Sequence, residues 1–162
     1  MHDFDGITPT IANIRPTSRG EINITSNDIK DNPKIKMNYL STQDDRDVAA
    51  KSLKIVRKIM LETEAFKKYE PEEYRPGIQF KDNESLAKEA GKFANTIFHP
   101  VSTCKMGNDE NSVVSDSLKV KGINNLRVVD ASVMPTITSG NTNAPTMMIA
   151  EKASDLIIRD QK

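Results

Sequence analysis

The stretch that most constrains the fold of this chain is residues 41–60, STQDDRDVAAKSLKIVRKIM, because it carries the longest unbroken secondary-structure pattern. Ser41 or Thr42, each with an acidic residue three positions later, predicts a capping box at the start of a helix. Apolar residues then recur at helical spacing, at Ala49, Leu53, Val56 and Met60. The segment therefore predicts a long amphipathic helix.

The regions on either side of this helix differ in pattern. Residues 11–26, IANIRPTSRGEINITS, predict two strands around a turn that contains proline, serine and glycine. The alternation of apolar and polar residues resumes at residues 35–39, IKMNY, and predicts a further strand. After the long helix, the polar residues 63–82 predict a surface connection, and a second helix is expected from Glu84 to Asn95.

The last third of the chain mixes strands, a loop and a helix. Residues 97–105 predict a strand broken by Pro100, as an edge or bulged strand would be. Residues 126–132, LRVVDAS, predict a compact buried strand. A loop of small and polar residues, 134–145, leads to a final helix that is expected to begin near Pro145.

Composition argues against several classes of function. The 23 Lys and Arg residues balance 23 Asp and Glu residues, so we expect no basic surface for nucleic acid or for an anionic membrane. A single cysteine, Cys104, cannot form an internal disulfide and suits a reducing compartment. We find no signal peptide and no apolar run of about 20 residues, so we expect a cytoplasmic protein without an integral membrane segment.

The spacing of the seven glycines argues against two kinds of nucleotide-binding turn. No two of them lie two positions apart, so the chain has no G-x-G-x-x-G turn, and it has no G-x-x-x-x-G-K-[ST] phosphate loop. The chain therefore lacks the glycine-rich turn with which a dinucleotide-binding domain holds a pyrophosphate.

Reactive side chains concentrate in residues 97–107, IFHPVSTCKMG. A metal site is not expected, because His99 and Cys104 supply two ligands where a catalytic zinc needs three. A thiol nucleophile is not favoured, because residues five apart on a strand face opposite sides, which leaves Cys104 as a buried packing residue. The residues alone leave open whether His99 is a core residue or a general base. They also leave open whether Asp130 is a cap or turn residue, or a carboxylate that binds ribose-like hydroxyls.

Three segments, FHPVSTCKMG, LKVKGINNLRVVDASVMP and SGNTNAPTMMIAEKASDLI, resemble the C-terminal part of the glucose–methanol–choline (GMC) flavoprotein oxidoreductases. The earlier RPTSRGEINITSNDIKDNPKIKMNYLST resembles the start of the same region, so the resemblance covers about residues 12–158. The ending SGNTNAPTMMIAEK is more similar to the choline and aliphatic-alcohol dehydrogenases than to the family members with histidine in place of Asn141.

The resemblance implies a role for each candidate residue. His99 matches the active-site histidine, and Asn141 matches a second position that is histidine or asparagine. Asp130, followed by Ala131, matches the end of a strand beside the FAD cofactor. Four residues match the start of the last helix, beside the flavin ring: Asn143, Ala144, Pro145 and Thr146.

The chemistry of alcohol oxidation suits these implied roles. A small-molecule alcohol would lose its hydroxyl proton and a hydride, and histidine is the side chain best able to accept a proton near neutral pH. No side chain accepts a hydride, so the flavin would do so. Asn141 can donate a hydrogen bond to the developing alkoxide. The start of the last helix suits the negative charge that builds up on the flavin.

The resemblance also implies the fold and a partner. The implied fold is α+β, an antiparallel sheet flanked by helices, with a strand and a C-terminal helix that would complete an FAD-binding domain. Residues 1–10 are then an N-terminal tail, 11–125 a substrate-binding domain and 126–162 the completing strand and helix. The glycine-rich N-terminal half that holds FAD is expected in the same chain or in a separate one.

Three expectations remain open at this point. The chain is either part of such an enzyme or a non-catalytic stand-alone binding or scaffold domain derived from one. Ser102 stands where the family usually has glycine, as HPVGT, so its side chain is expected to narrow the substrate cavity or tilt the strand. A cytoplasmic location is expected, with a peripheral contact at the inner membrane as the alternative.

Overall fold

A computed structural model describes residues 3–161, so residues 1 and 2 of the predicted tail and residue 162 lie outside the described part. The elements in chain order are β1 Glu21–Asn23, β2 Lys34–Lys36, α1 Gln43–Glu62, α2 Glu64–Lys67, α3 Asn83–Phe93, a 3-10 turn Ala131–Val133 and α4 Asn143–Asp160. The predicted α+β class is confirmed. Among residues 3–161, no helix is both long and apolar enough to cross a membrane.

The chain forms two compact units. The first joins the residues up to Gly20 with Met37–Asn95, and the second joins Glu21–Lys36 with the residues from Thr96 onward. In the first unit α3 packs against α1, with Leu86 of α3 and Ala50 of α1 fully buried. The two predicted helices are therefore confirmed, with boundaries shifted by one or two residues.

Only half of the predicted capping box forms at the start of α1. Thr42 is the N-cap, and its Oγ1 accepts a hydrogen bond from the Asp45 N–H at 3.3 Å. The Asp45 carboxylate does not complete the box but accepts from the N–H groups of Thr17, at 2.9 Å, and Ser18, at 2.8 Å. Burial raises the pKa of Asp45, but the hydrogen bonds from Ser18 and Thr17 outweigh it and hold that pKa below its usual value.

The sheet is smaller than the sequence predicts. β1 and β2 pair antiparallel with Ile22 opposite Ile35, whereas residues 11–20 form no strand. The reason is that Thr17 and Ser18 of this segment are bound to the Asp45 carboxylate and so do not enter a strand ladder. The prediction of two strands in residues 11–26 is therefore wrong for the first of them.

The connection at residues 63–82 is held by one arginine of α1. The guanidinium of Arg57 binds both carboxylate oxygens of Glu73, with Nε–Oε2 at 2.7 Å and Nη2–Oε1 at 2.8 Å. It also donates to the carbonyl oxygens of Gly77, at 2.9 Å, and Phe80. Arg57 therefore fixes the path of a segment that the sequence marks only as a polar connection.

The second unit has an apolar core to which several segments contribute. Its buried residues are Val114, Leu118, Val133, Met134, Ile149 and Ala153. Met134 follows the 3-10 turn, and Ile149 and Ala153 come from α4, which begins two residues before the predicted Pro145. This core holds the start of α4 beside the turn at Ala131–Val133.

Two predicted strands of the second unit do not form. In residues 97–105 the backbone is left-handed at Phe98 and Ser102, with φ of +61° and +74°, and this interrupts any extended run. Residues 126–132 are reduced to a single bridge between Lys119 and Arg127, because the Asp130 side chain caps the 3-10 turn that follows. A strand needs a partner along its whole length, and here the partner, residues 118–120, reaches only residues 126–128.

Candidate active site

Every residue assigned to the site by resemblance falls in the second unit. The group comprises His99, Asp130, Ala131, Asn141, Asn143, Ala144, Pro145 and Thr146. They lie on three segments: the loop after Thr96, the 3-10 turn and the start of α4. The three segments contribute Ile149 to one apolar core and Val101 and Ala131 to the residues packed against it. The fold thus brings the three segments to the same core.

His99 lies on a short arch, residues 98–102, in which each residue is constrained. Phe98 and Ser102 are left-handed, and such a backbone costs a non-glycine residue roughly 1–2 kcal/mol. Pro100 has a fixed φ and restricts His99 before it to extended conformations. Val101 packs against the core. The arch therefore presents the half-buried His99 side chain from a restricted backbone.

The chain after the arch is tied to the 3-10 turn. The Cys104 N–H donates to the Ser132 carbonyl at 3.0 Å, and the Met106 N–H donates to the Val133 carbonyl at 2.8 Å. Cys104 itself is a free, half-buried thiol, so it is less buried than the sequence predicts. These two backbone bonds place the histidine segment next to the segment that carries Asp130.

Asp130 acts as a cap within the chain. Its Oδ1 accepts from the Ser132 N–H at 2.7 Å, and its backbone is extended before the turn. The cap role left open by the sequence is therefore present. The carboxylate is also exposed, so it can accept further hydrogen bonds from a ligand, while the half-buried Ala131 packs on the core.

The start of α4 has two backbone donors that the N-cap side chain does not satisfy. Thr142 is the N-cap, but its side chain makes no capping hydrogen bond. Its carbonyl instead accepts from Thr146, from the N–H at 3.1 Å and from Oγ1 at 2.7 Å. Pro145 has no N–H, so the donors at this end are the N–H groups of Asn143 and Ala144. With the partial positive charge of the helix end, they suit an anionic or carbonyl oxygen of a cofactor.

Asn141 directly precedes this helix start. Gly140 before it has φ of +148°, a backbone that favours glycine, and its N–H donates to the Thr138 carbonyl at 2.7 Å. The Asn141 side chain is exposed and lies one residue before the N-cap. The glycine turn thus leads a neutral, exposed hydrogen-bond donor into the start of α4.

Sequence reasoning did not identify the left-handed backbone at Phe98 and Ser102. For Ser102 one signal existed, since the resembling family usually has glycine there, and glycine often marks such a conformation. For Phe98 the sequence carries no such signal, because an aromatic residue is unfavourable in that region.

A family model described as GMC oxidoreductase matches residues 16–150. The chain is 44% identical to an oxygen-dependent choline dehydrogenase of Proteus mirabilis (strain HI4320), over 96% of this chain and 28% of the relative. It is 42% identical to an alcohol dehydrogenase (acceptor) of Pseudomonas putida, over 95% of this chain and 28% of that relative. The chain thus spans little more than a quarter of the length of these relatives.

A solved structure agrees with these sequence matches. An FAD-dependent oxidoreductase from Chaetomium thermophilum superposes with a TM-score of 0.84 and 28% identity, over 91% of this chain and 26% of that one. The similarity again concerns a part of the longer protein. It covers nearly all of the chain.

Proposed function

Since this chain belongs to the GMC oxidoreductase family, we propose that it forms the substrate side of an FAD-dependent alcohol dehydrogenase of the choline-dehydrogenase type. The reaction oxidises a CH–OH group to a carbonyl. The observation that carries the proposal is the convergence of three segments on one core: the His99 arch, the Asp130 turn and the uncapped start of α4.

In this proposal His99 is the general base that takes the hydroxyl proton of the alcohol. A base must be reachable by substrate, and His99 is half-buried rather than enclosed in the core. It must also be held in one orientation, and the arch restricts the backbone on both sides of it. Asn141 donates a hydrogen bond to the oxygen as negative charge develops there, without competing for the proton.

FAD is the cofactor of the structural neighbours, and the residues of the second unit fit it. The N–H groups of Asn143 and Ala144 would hold the edge of the flavin ring that becomes negative, with Pro145 and Thr146 continuing the first turn. The exposed Asp130 carboxylate, followed by Ala131, would lie beside the cofactor as a hydrogen-bond acceptor. FAD, when bound, would supply the hydride acceptor that side chains cannot provide.

In this proposal the glycine-rich part that holds FAD comes from the remainder of the same protein or from a separate chain. The support is that this chain matches only 28% of the length of each relative. In that assembly residues 11–125 form the substrate-binding domain, and residues 126–162 complete the FAD-binding domain. The substrate is a small-molecule alcohol, and the assembly works in the cytoplasm.

Reconstitution tests this proposal. The 162-residue chain should not retain FAD on its own, because it has no glycine-rich phosphate turn. Together with a GMC FAD-binding portion, it should give a flavin spectrum, and an alcohol should bleach that spectrum without oxygen. Stoichiometric FAD on the isolated chain would contradict the proposed division of the cofactor site. An assembled flavoprotein that no alcohol bleaches would support the non-catalytic alternative.

A further inference from the structure

Ser102 has a backbone conformation that glycine adopts without strain and serine does not. Its φ is +74°, and it lies three residues after His99. Its neighbours on both sides are held in place, since Val101 packs against the core and the Cys104 N–H donates to the Ser132 carbonyl at 3.0 Å. The fold therefore keeps a side chain at a position where a side chain is unfavourable.

The Ser102 side chain gives no hydrogen bond in return. Among residues 3–161 its hydroxyl has no hydrogen-bond partner, although the residue is half-buried. Strained residues that the surrounding structure holds in place cluster at functional sites. Ser102 is thus a strained serine three residues after a candidate base, and its hydroxyl is not enclosed within the described residues, so a ligand can reach it.

We infer that Ser102 is a specificity-determining residue, whose hydroxyl hydrogen-bonds a second polar group on the alcohol substrate. The inference rests on the proposed function of His99. Three residues span at most about 11 Å, so an alcohol whose reacting hydroxyl lies at His99 can bring another polar group to Ser102. A serine hydroxyl both donates and accepts, so a second hydroxyl is a suitable partner. The substrate class is thus a polar alcohol such as a diol rather than a plain alkanol.

The test compares two matched series of substrates on the flavin-loaded enzyme. Straight-chain primary alcohols are measured against the α,ω-diols of the same length, and the ratio of their kcat/KM values is taken. The wild type should favour the diol at one or more lengths. Ser102→Ala should lower that ratio about 3- to 10-fold, mainly through the KM of the diol, as expected for the loss of one neutral hydrogen bond.

Two further variants distinguish the effect of losing the hydroxyl from the effect of relieving the left-handed backbone. Ser102→Gly should lower the ratio as far as Ser102→Ala does, because both lack the hydroxyl. Asn125→Gly is the matched control, since Asn125 is also left-handed, with φ of +59°, and exposed in the same unit. It relieves the same kind of backbone constraint and should leave the ratio unchanged.

Each other outcome overturns the inference. A wild type without preference for any diol, or a Ser102→Ala variant with an unchanged ratio, shows that the hydroxyl recognises no polar group. A change in Ser102→Gly alone shows that bulk or backbone matters instead. If neither series is oxidised, the inferred substrate class is wrong, whereas activity retained in His99→Ala would overturn the proposed function itself, which is a distinct result.

Discussion

Asn141 is exposed, follows the glycine turn and precedes the N-cap of α4, so its side chain contributes little to packing. In the proposed site it supplies one hydrogen bond to the developing alkoxide, and such a donor is worth about 3–4 kcal/mol. Asn141→Ala should therefore slow flavin reduction about 10²–10³-fold, mainly in kcat, while the melting temperature barely changes. Stopped-flow flavin reduction and thermal melting of the assembled protein measure both effects.

Cys104→Ser is the control for this prediction. The thiol is half-buried, so a hydroxyl there should lower stability by about 1 kcal/mol and leave flavin reduction nearly intact. Flavin reduction at the wild-type rate in Asn141→Ala would make Asn141 a plain loop residue. Abolished reduction in Cys104→Ser without loss of stability would instead favour thiol chemistry.

At the residue scale, the sequence predicts the possible roles of a side chain better than it predicts the partners of that side chain. The two alternatives for Asp130 follow from its place after an apolar run, and the structure shows the capping contact. The capping box at Thr42 and Asp45 was only half right, because Asp45 is taken by Thr17 and Ser18, which lie 28 and 27 residues earlier. Partners that distant leave no local signal in the sequence.

Helices and strands differ in how far they can be predicted here. α1, α3 and α4 follow from local periodicity, because helical hydrogen bonds join residues four apart. The strands predicted at residues 97–105 and 126–132 failed, because strands depend on partners elsewhere in the protein. Leu126 is 46% exposed, as an apolar residue without a neighbouring strand would be.

The loop held by Arg57 offers a stability test at the scale of elements. The pair with Glu73 is bidentate and largely buried, with the side chains 18% and 9% exposed. Removing one partner leaves the other charge buried and unpaired, so Arg57→Ala should cost about 3 kcal/mol of unfolding free energy. Lys67→Ala is the control, because the Lys67–Glu64 pair is exposed and should contribute less than about 1 kcal/mol. Equal effects of the two variants in urea unfolding would contradict this ranking.

The same pair predicts an acid dependence. The hydrogen bond from Arg57 is the main reason that the pKa of Glu73 lies below its ordinary value of 4.5. A group whose folded pKa is depressed stabilises the fold above the unfolded value, and this contribution is lost as pH falls through the folded value. Unfolding free energy should thus decrease below about pH 4.5, and Glu73→Gln should flatten that decrease. An unchanged slope in Glu73→Gln would exclude Glu73 as its source.

At the scale of the whole molecule, the described chain has large apolar residues on its surface. Ile24 and Ile29 are 89% and 98% exposed, and Met147 and Met148 near the start of α4 are about 60% exposed. We propose that part of this exposed apolar surface contacts the FAD-binding part of the protein. This proposal agrees with the greater length of the two relatives, of which the chain spans 28%.

The central claim is that His99 takes the substrate proton in an FAD-dependent alcohol dehydrogenase, and one variant tests it directly. In the flavin-loaded protein, His99→Ala should lower kcat/KM for the alcohol by about 10²–10⁴, the usual contribution of a positioned acid–base group. Flavin content should stay near that of the wild type. A loss smaller than about threefold, with normal flavin content, would show that His99 is not the general base.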